Sequence, residues 1–251
     1  MAVIAGNWKM HHGPGATAAF LAELELADPP GHELLLFPPA LSLPALASSP
    51  HLPATLQIGV QNIHWEVSGA YTGELSGGMA REAGATFALV GHSERRHVFG
   101  ETDEEVTRKV AAALRESLTP VVCVGERLEE RRAGKLEEVL LRQLAAALEG
   151  LGDSDARFLV AYEPVWAIGT GETASPQDAS DAHAFLRARL EDDMGTARAA
   201  GVPLLYGGSV KPHNAEELLS APEVDGVLVG GASLEAASFT GILQAAGAGA
   251  R

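Results

Sequence analysis

A single carboxylate stands where an apolar run stops. Phe158-Leu159-Val160-Ala161 leads through Tyr162 to Glu163, and Pro164 follows at once. Proline donates no hydrogen bond to a strand ladder, so the strand is expected to end at the glutamate. The next segment, Val165-Trp166-Ala167-Ile168, is stiff and mostly apolar, and Gly169-Thr170-Gly171 gives it a flexible exit. A base on a strand end beneath a hinged, water-excluding cover would be assembled this way. The plainer reading is a tight β-to-α loop with a solvated Glu163.

Other chemistry-bearing residues also follow short apolar runs. The first run ends in Gly6-Asn7-Trp8-Lys9 and the fourth in Gly91-His92-Ser93-Glu94-Arg95-Arg96. The seventh ends in Gly207-Gly208-Ser209 and the eighth in Gly230-Gly231-Ala232-Ser233. Taken singly, Lys9 reads as a surface lysine, His92 as a helix cap and the glycine pairs as tight turns. Taken together they place a cation, an imidazole, a carboxylate and two glycine-rich corners at one mouth. Paired glycines leave backbone N–H groups accessible, which is what a phosphate requires.

The elements that must position this set are legible as eight apolar runs: Val3–Ala5, Leu34–Phe37, Leu56–Val60, Phe87–Val90, Val121–Val124, Phe158–Ala161, Leu204–Tyr206 and Val227–Val229. None alternates with polar residues, which suits parallel strands buried on both faces. Helical patterns lie between them. Asp103 to Leu118 opens at Thr102 or Asp103 and carries Val106, Val110 and Leu114 on one stripe. Glu129 to Leu148 reads as one long helix. Pro176 is placed for a first helical position, and Asn214 or His213 starts a short helix reaching Leu219. Eight strand–helix units in 251 residues match a single (β/α)8 barrel, a catalytic domain spanning residues 1–251. A doubly wound open sheet is the alternative, but no Gly-x-Gly-x-x-Gly follows the first run.

Composition narrows the partners. Thirty-three acidic against 18 basic residues give a net charge of −15. That argues against nucleic acid and anionic membranes, though not against a small anion held by local donors. The sole cysteine, Cys123, lies in the run Val121–Val124 and reads as a buried, inert thiol with no disulfide partner. The nine histidines show no metal-ligand spacing; His11, His12, His32, His51, His64, His97, His183 and His213 read as solvated or locally capping. With no secretory signal and no run of about 20 apolar residues, a soluble cytoplasmic protein is expected.

Asn7-Trp8-Lys9, Gly91-His92-Ser93-Glu94-Arg95-Arg96, Ala161 through Gly171, Tyr206-Gly207-Gly208-Ser209 and Gly226 through Ala232 closely resemble the triosephosphate isomerase family, in order and spacing. The resemblance implies interconversion of dihydroxyacetone phosphate and D-glyceraldehyde 3-phosphate, without cofactor or metal, in a homodimer. It implies Glu163 as base, His92 as electrophile and Lys9 as positive charge beside the substrate. Asn7 belongs to the same pocket, and Gly169, Ser209, Gly230 and Gly231 hold the phosphate. Glu94 should pair with Lys9, and the loop Gly69–Glu74 should dock into a second copy. The first loop, Met10-His11-His12-Gly13-Pro14-Gly15, departs from the family pattern and puts its dimer contacts in question. Two competing readings remain open at this stage. One is an aldolase that forms a Schiff base through Lys9. The other is a non-catalytic barrel that binds a phosphorylated metabolite.

Overall fold

The computed structural model describes residues 2–24, 31–168 and 174–249. Eight strands form in chain order: β1 Val3–Asn7, β2 Glu33–Phe37, β3 Leu56–Val60, β4 Phe87–Val90, β5 Thr119–Val124, β6 Leu159–Tyr162, β7 Leu204–Tyr206 and β8 Gly226–Val229. Each pairs in parallel with its sequence neighbour, and β1 pairs with β8, so the sheet closes into a barrel. Helices stand between the strands, the longest being Pro176–Met194 after β6. This is a (β/α)8 barrel, and all eight expected strands are present.

The strands lack polar alternation because both faces are buried, against different partners. Val3, Ala5, Leu35, Phe37, Phe87, Leu89, Val121, Cys123, Leu159, Ala161, Leu205 and Leu228 gather in one cluster. Their neighbours Ile4, Leu34, Leu36, Ala88, Val90, Val122, Val160 and Val227 join the larger layer that also contains the helix residues Val106, Val110, Leu140 and Leu186. Side chains two apart share a face. The inward set therefore continues past the strand ends to Asn7, Gly125, Glu163, Gly207 and Gly230. The period of the strands thus delivers Asn7, Glu163 and Gly230 to the barrel mouth; His92 and Gly231 enter it from the helix and turn that follow β4 and β8.

Two helix boundaries differ from expectation. The segment from Glu129 to Leu148 is not one helix but two, Leu128–Arg132 and Leu136–Leu151. Gly134 adopts φ +69 between them, a left-handed conformation that ends the first helix. The helix expected to reach Leu118 stops at Arg115, and Ser117 turns out of it at φ +57. Its start is as expected, with Thr102 and Glu105 forming a reciprocal capping box. Pro176 occupies a first-turn position, and Asn214 caps Ala215–Leu219. The C-terminal helix runs over Ala236–Gly249. Among the described residues no helix is long and apolar enough to cross a membrane.

Candidate active site

A cavity of about 500 Å3 opens at the C-terminal ends of the strands, lined among others by Asn7, Lys9, His92, Glu163, Ser209, Gly230 and Gly231. These are the expected site residues with two exceptions: Glu94 lines a neighbouring cavity instead, and Gly169 lies outside the described residues, as does the rest of Gly169-Thr170-Gly171.

Glu163 sits one residue beyond β6. Its own N–H donates to Val124 O at 2.7 Å, and Pro164 then ends the ladder. The side chain is only 2% exposed. Its Oε2 accepts from the Ser93 N–H at 2.8 Å, and its Oε1 accepts from the Ser93 hydroxyl at 2.9 Å. His92 Nε2 stands 3.1 Å from the same Oε1. Ser93 was legible only as the start of a helix; its hold on Glu163 spans 70 residues of sequence and has no local signal.

His92 is both a cap and a site residue. It is the N-cap of the helix Ser93–Val98, and its Nδ1 accepts from the Glu94 N–H at 3.3 Å. An accepting Nδ1 leaves Nε2 as the ring nitrogen that donates. Nε2 points into the cavity, 3.2 Å from Asn7 Nδ2. Asn7 Oδ1 is engaged by the Lys9 N–H at 2.9 Å, which turns the amide nitrogen toward His92. Two donors thus converge, and an oxygen placed between them would accept from both.

Lys9 Nζ is 2.6 Å from Glu94 Oε1, the pairing expected from the sequence. The Lys9 backbone is left-handed, at φ +51. Gln61 holds it there: its side-chain amide donates to both Lys9 O and Phe37 O at 2.8 Å. An amine that attacks a carbonyl must be neutral. The ion pair with Glu94 engages the ammonium instead, which speaks against Schiff-base chemistry at Lys9.

The glycine corners sit opposite. Gly207 differs from expectation, because its N–H is already spent on Tyr162 O at 2.7 Å. Its lack of a side chain serves another purpose: a Cβ there would lie 3.0 Å from Glu163 Cγ. Asn214 fixes the loop after β7, donating from Nδ2 to Ser209 O at 3.0 Å. After β8, Gly231–Ser233 forms a 3-10 turn whose first amides have no internal partners. Among the described residues, a Cβ on Gly231 would meet nothing within 4 Å, and one on Gly230 would approach Lys9 Cε at 3.5 Å. The corner therefore opens onto the cavity beside the ammonium.

The segment after Glu163 begins on firm anchors. Trp166 Nε1 donates to Glu126 Oε1 at 2.7 Å, and the Tyr162 hydroxyl donates to the same oxygen at 3.2 Å. The Arg131 guanidinium lies 4.6 Å over the Trp166 ring. Burial pushes the Glu126 carboxyl and the Tyr162 hydroxyl upward. Cys123 is buried in the barrel interior, and burial followed by the nearby Glu163 charge pushes its thiol up, as an inert thiol requires.

Two histidines correct the expectation of solvated or capping rings, while His64 keeps it: though nearly buried, its Nδ1 accepts locally from the Glu66 N–H at 3.1 Å. His183 is fully buried. His12 is half-buried and bonded to Leu234 O. No group of three or more His, Cys, Asp or Glu could hold a metal among the described residues.

A strand-end carboxylate, an imidazole, an ammonium and an open glycine corner share one barrel mouth, the set that an enzyme moving protons on a phosphorylated carbonyl compound needs. The family model described as triosephosphate isomerase matches residues 2–246. Proteins named triosephosphate isomerase from Herpetosiphon aurantiacus and Citrifermentans bemidjiense are each 48% identical over 246 residues, covering 96% of this chain and 98% and 97% of theirs. The one from Solibacter usitatus is 45% identical over 245 residues, covering 96% of this chain and 98% of its own. The chain belongs to the triosephosphate isomerase family. It is an isomerase of that type, acting on a triose phosphate.

Proposed function

We propose that the reaction runs through an enediolate, with Glu163 moving the proton between the two carbons and His92 holding the oxygen. The observation that carries this is the convergence of His92 Nε2–H and Asn7 Nδ2, 3.2 Å apart, beside the Glu163 carboxylate. Removing a proton from carbon beside a carbonyl needs a base at that carbon and donors where the oxyanion develops. Lys9 adds positive charge on the same side. The phosphate sits against Ser209, Gly230 and Gly231, where the turn presents its amides. Gly169 is assigned to the same group by family resemblance. Glu94 orients Lys9.

A deuterium experiment tests the assignment. Turnover of glyceraldehyde 3-phosphate in D2O should place deuterium on the ketose carbon, and Glu163→Gln should abolish both turnover and label. Label without loss in that variant would assign the base elsewhere.

Residues 1–251 make one catalytic domain on this reading, in a cytoplasmic homodimer. The face around Met10, Val67, Tyr71, Met79, Val98 and Phe99 supports the dimer. All six side chains are exposed, Met10 to 94% and Phe99 to 69%. The loop carrying Gly69–Glu74 closes on itself through His64 N–H to Leu75 O at 2.7 Å and a His64–Tyr71 ring contact at 4.2 Å. It projects as a preformed unit. A second cavity of about 420 Å3, reaching from Lys9 and Met10 past Gln61 to Val98 and Phe99, is open to receive such a loop from a partner. That docking would cover the outer side of Lys9.

A further inference from the structure

We infer that His12 is a positioning residue that ties the Lys9 loop to the anion corner at Gly230–Gly231. The inference rests on the assignment of Lys9 and that corner to the substrate site.

His12 lies in the first loop at φ +59, and Lys9 in the same loop is at φ +51. A non-glycine residue in that region is uncommon and persists only where its surroundings over-determine it. Three contacts do so here. His12 Nε2 is 2.8 Å from Leu234 O, and a carbonyl only accepts, so the ring proton is on Nε2. The ring meets Trp8 edge-on with centroids 4.7 Å apart. The His12 carbonyl accepts from the Ser42 hydroxyl at 2.6 Å.

Leu234 directly follows the turn Gly231–Ser233. Its N–H donates to Gly231 O at 3.1 Å, and the Ser233 N–H and hydroxyl both donate to Gly230 O at 2.8 Å. The turn is thus one compact unit, and its far end is held by two rings from one loop. His12 takes Leu234 O, and Trp8 Nε1 takes Ser233 O at 3.0 Å. At its near end the turn faces Lys9 across Gly230. A shift of the Lys9 loop would therefore pull on the corner, and the converse. His12 touches neither substrate nor reacting atoms; it acts through both groups that do.

Kinetics and inhibition by inorganic phosphate separate this role from plain structure. Asparagine tolerates the left-handed backbone, but its amide stops short of Leu234 O. Glutamine is longer and restores a donor. His12→Asn should raise KM and the phosphate inhibition constant together, by about fivefold to tenfold, and lower kcat by a similar factor. His12→Gln should recover most of both, with melting temperatures not following that order. Unchanged phosphate inhibition in His12→Asn would overturn the inference. So would equal losses in the two variants that track their melting. In the unmutated enzyme, saturating phosphate should move the His12 Nε2 NMR resonance and leave that of exposed His11 in place. A static His12 resonance would overturn the inference even if the variants do not fold. If phosphate fails to inhibit the unmutated enzyme at all, the anion corner itself is refuted, and His12's role with it.

Discussion

Shortening Glu163 by one methylene is the sharpest test of the site. In Glu163→Asp the carboxylate retracts by about 1.5 Å, one carbon–carbon bond. The backbone cannot advance to compensate. The Glu163 N–H is pinned to Val124 O and the Gly207 N–H to Tyr162 O, each at 2.7 Å. On the β5 side, a Cβ on Gly125 would fall 1.7 Å from Glu163 O, so the two strand ends are already in backbone contact. A misplacement of 1 Å at a reacting group costs about 10²-fold, so 1.5 Å uncompensated should cost about 10²- to 10³-fold in kcat. That corresponds to about 3–4 kcal/mol of lost transition-state stabilisation. The anion corner is untouched, so KM should stay within about threefold of its original value. The assay is turnover of glyceraldehyde 3-phosphate coupled to reduction of the ketone product. A kcat within threefold of the unmutated enzyme would refute the placement of the base. A raised KM at unchanged kcat would reduce Glu163 to a binding group.

Other perturbations address the remaining parts. Gly231→Val projects a branched side chain into the cavity, since no atom of the described residues lies within 4 Å of its Cβ position. Phosphate inhibition and KM should both weaken by about tenfold or more with the fold intact, and unchanged inhibition would move the anion elsewhere. Nitrogen-15 NMR of His92 should show a bare Nδ1 and a protonated Nε2 in the free enzyme, and a doubly protonated ring would contradict the Glu94 N–H contact. Thr72→Arg puts a charge on the exposed loop that the dimer would bury, at a cost of several kcal/mol; light scattering should show the dimer split, and a single-chain mass for the unmutated protein would end that proposal. Burial holds the His183 imidazole down to about 4, and its Nε2 has no hydrogen-bond partner among the described residues. The unfolded chain protonates this histidine near 6.5 while the folded one resists, so stability should fall as pH drops from 6.5 toward 4, by about 3 kcal/mol in all. His183→Leu should flatten that part of the thermal-stability profile, and an identical acid loss in both proteins would clear His183 of the role.

What the sequence made legible was whatever short-range order determines. Strand parity carries Val3, Ala5 and Asn7 on one face and Leu159, Ala161 and Glu163 on another, so the inward placement of two site residues follows from period two alone. The proline after Glu163 and the Thr102 cap are likewise local. The split at Gly134 was missed because an apolar stripe on both sides outweighed one glycine. His12 and His183 were misjudged for a different reason. A buried imidazole needs a carbonyl partner, and those partners, Leu234 O and Glu223 O, lie 222 and 40 residues away. Gln61 is the same case: it holds Lys9 and Phe37 across 52 and 24 residues.

The resting contacts of Glu163 also say where the energy for reaction must come from. Its carboxylate accepts two hydrogen bonds from Ser93 and faces His92 Nε2. A carboxylate so engaged cannot reach a substrate carbon; it must first give up Ser93. Bonds to a charged acceptor are worth about 1.5–3 kcal/mol each, so release is costly unless substrate supplies the difference. The reacting carbons cannot supply it, because their interactions are those the transition state must gain. The phosphate can. On the proposed assignment it lies at the ends of β7 and β8, away from the bond that breaks, so its contacts would persist throughout the reaction. The segment after Glu163 is the natural link, because it starts at the base and is anchored at Trp166 to Glu126. If phosphate binding shifts Trp166 and the residues before it, the same motion can carry Glu163 off Ser93. Ser93→Ala then discriminates. It removes the hydroxyl contact while keeping the N–H, so it should lower the cost of release and raise turnover of a phosphate-free substrate such as glyceraldehyde relative to that of glyceraldehyde 3-phosphate. An equal fractional change for both substrates would mean that release of Glu163 is not what phosphate binding drives.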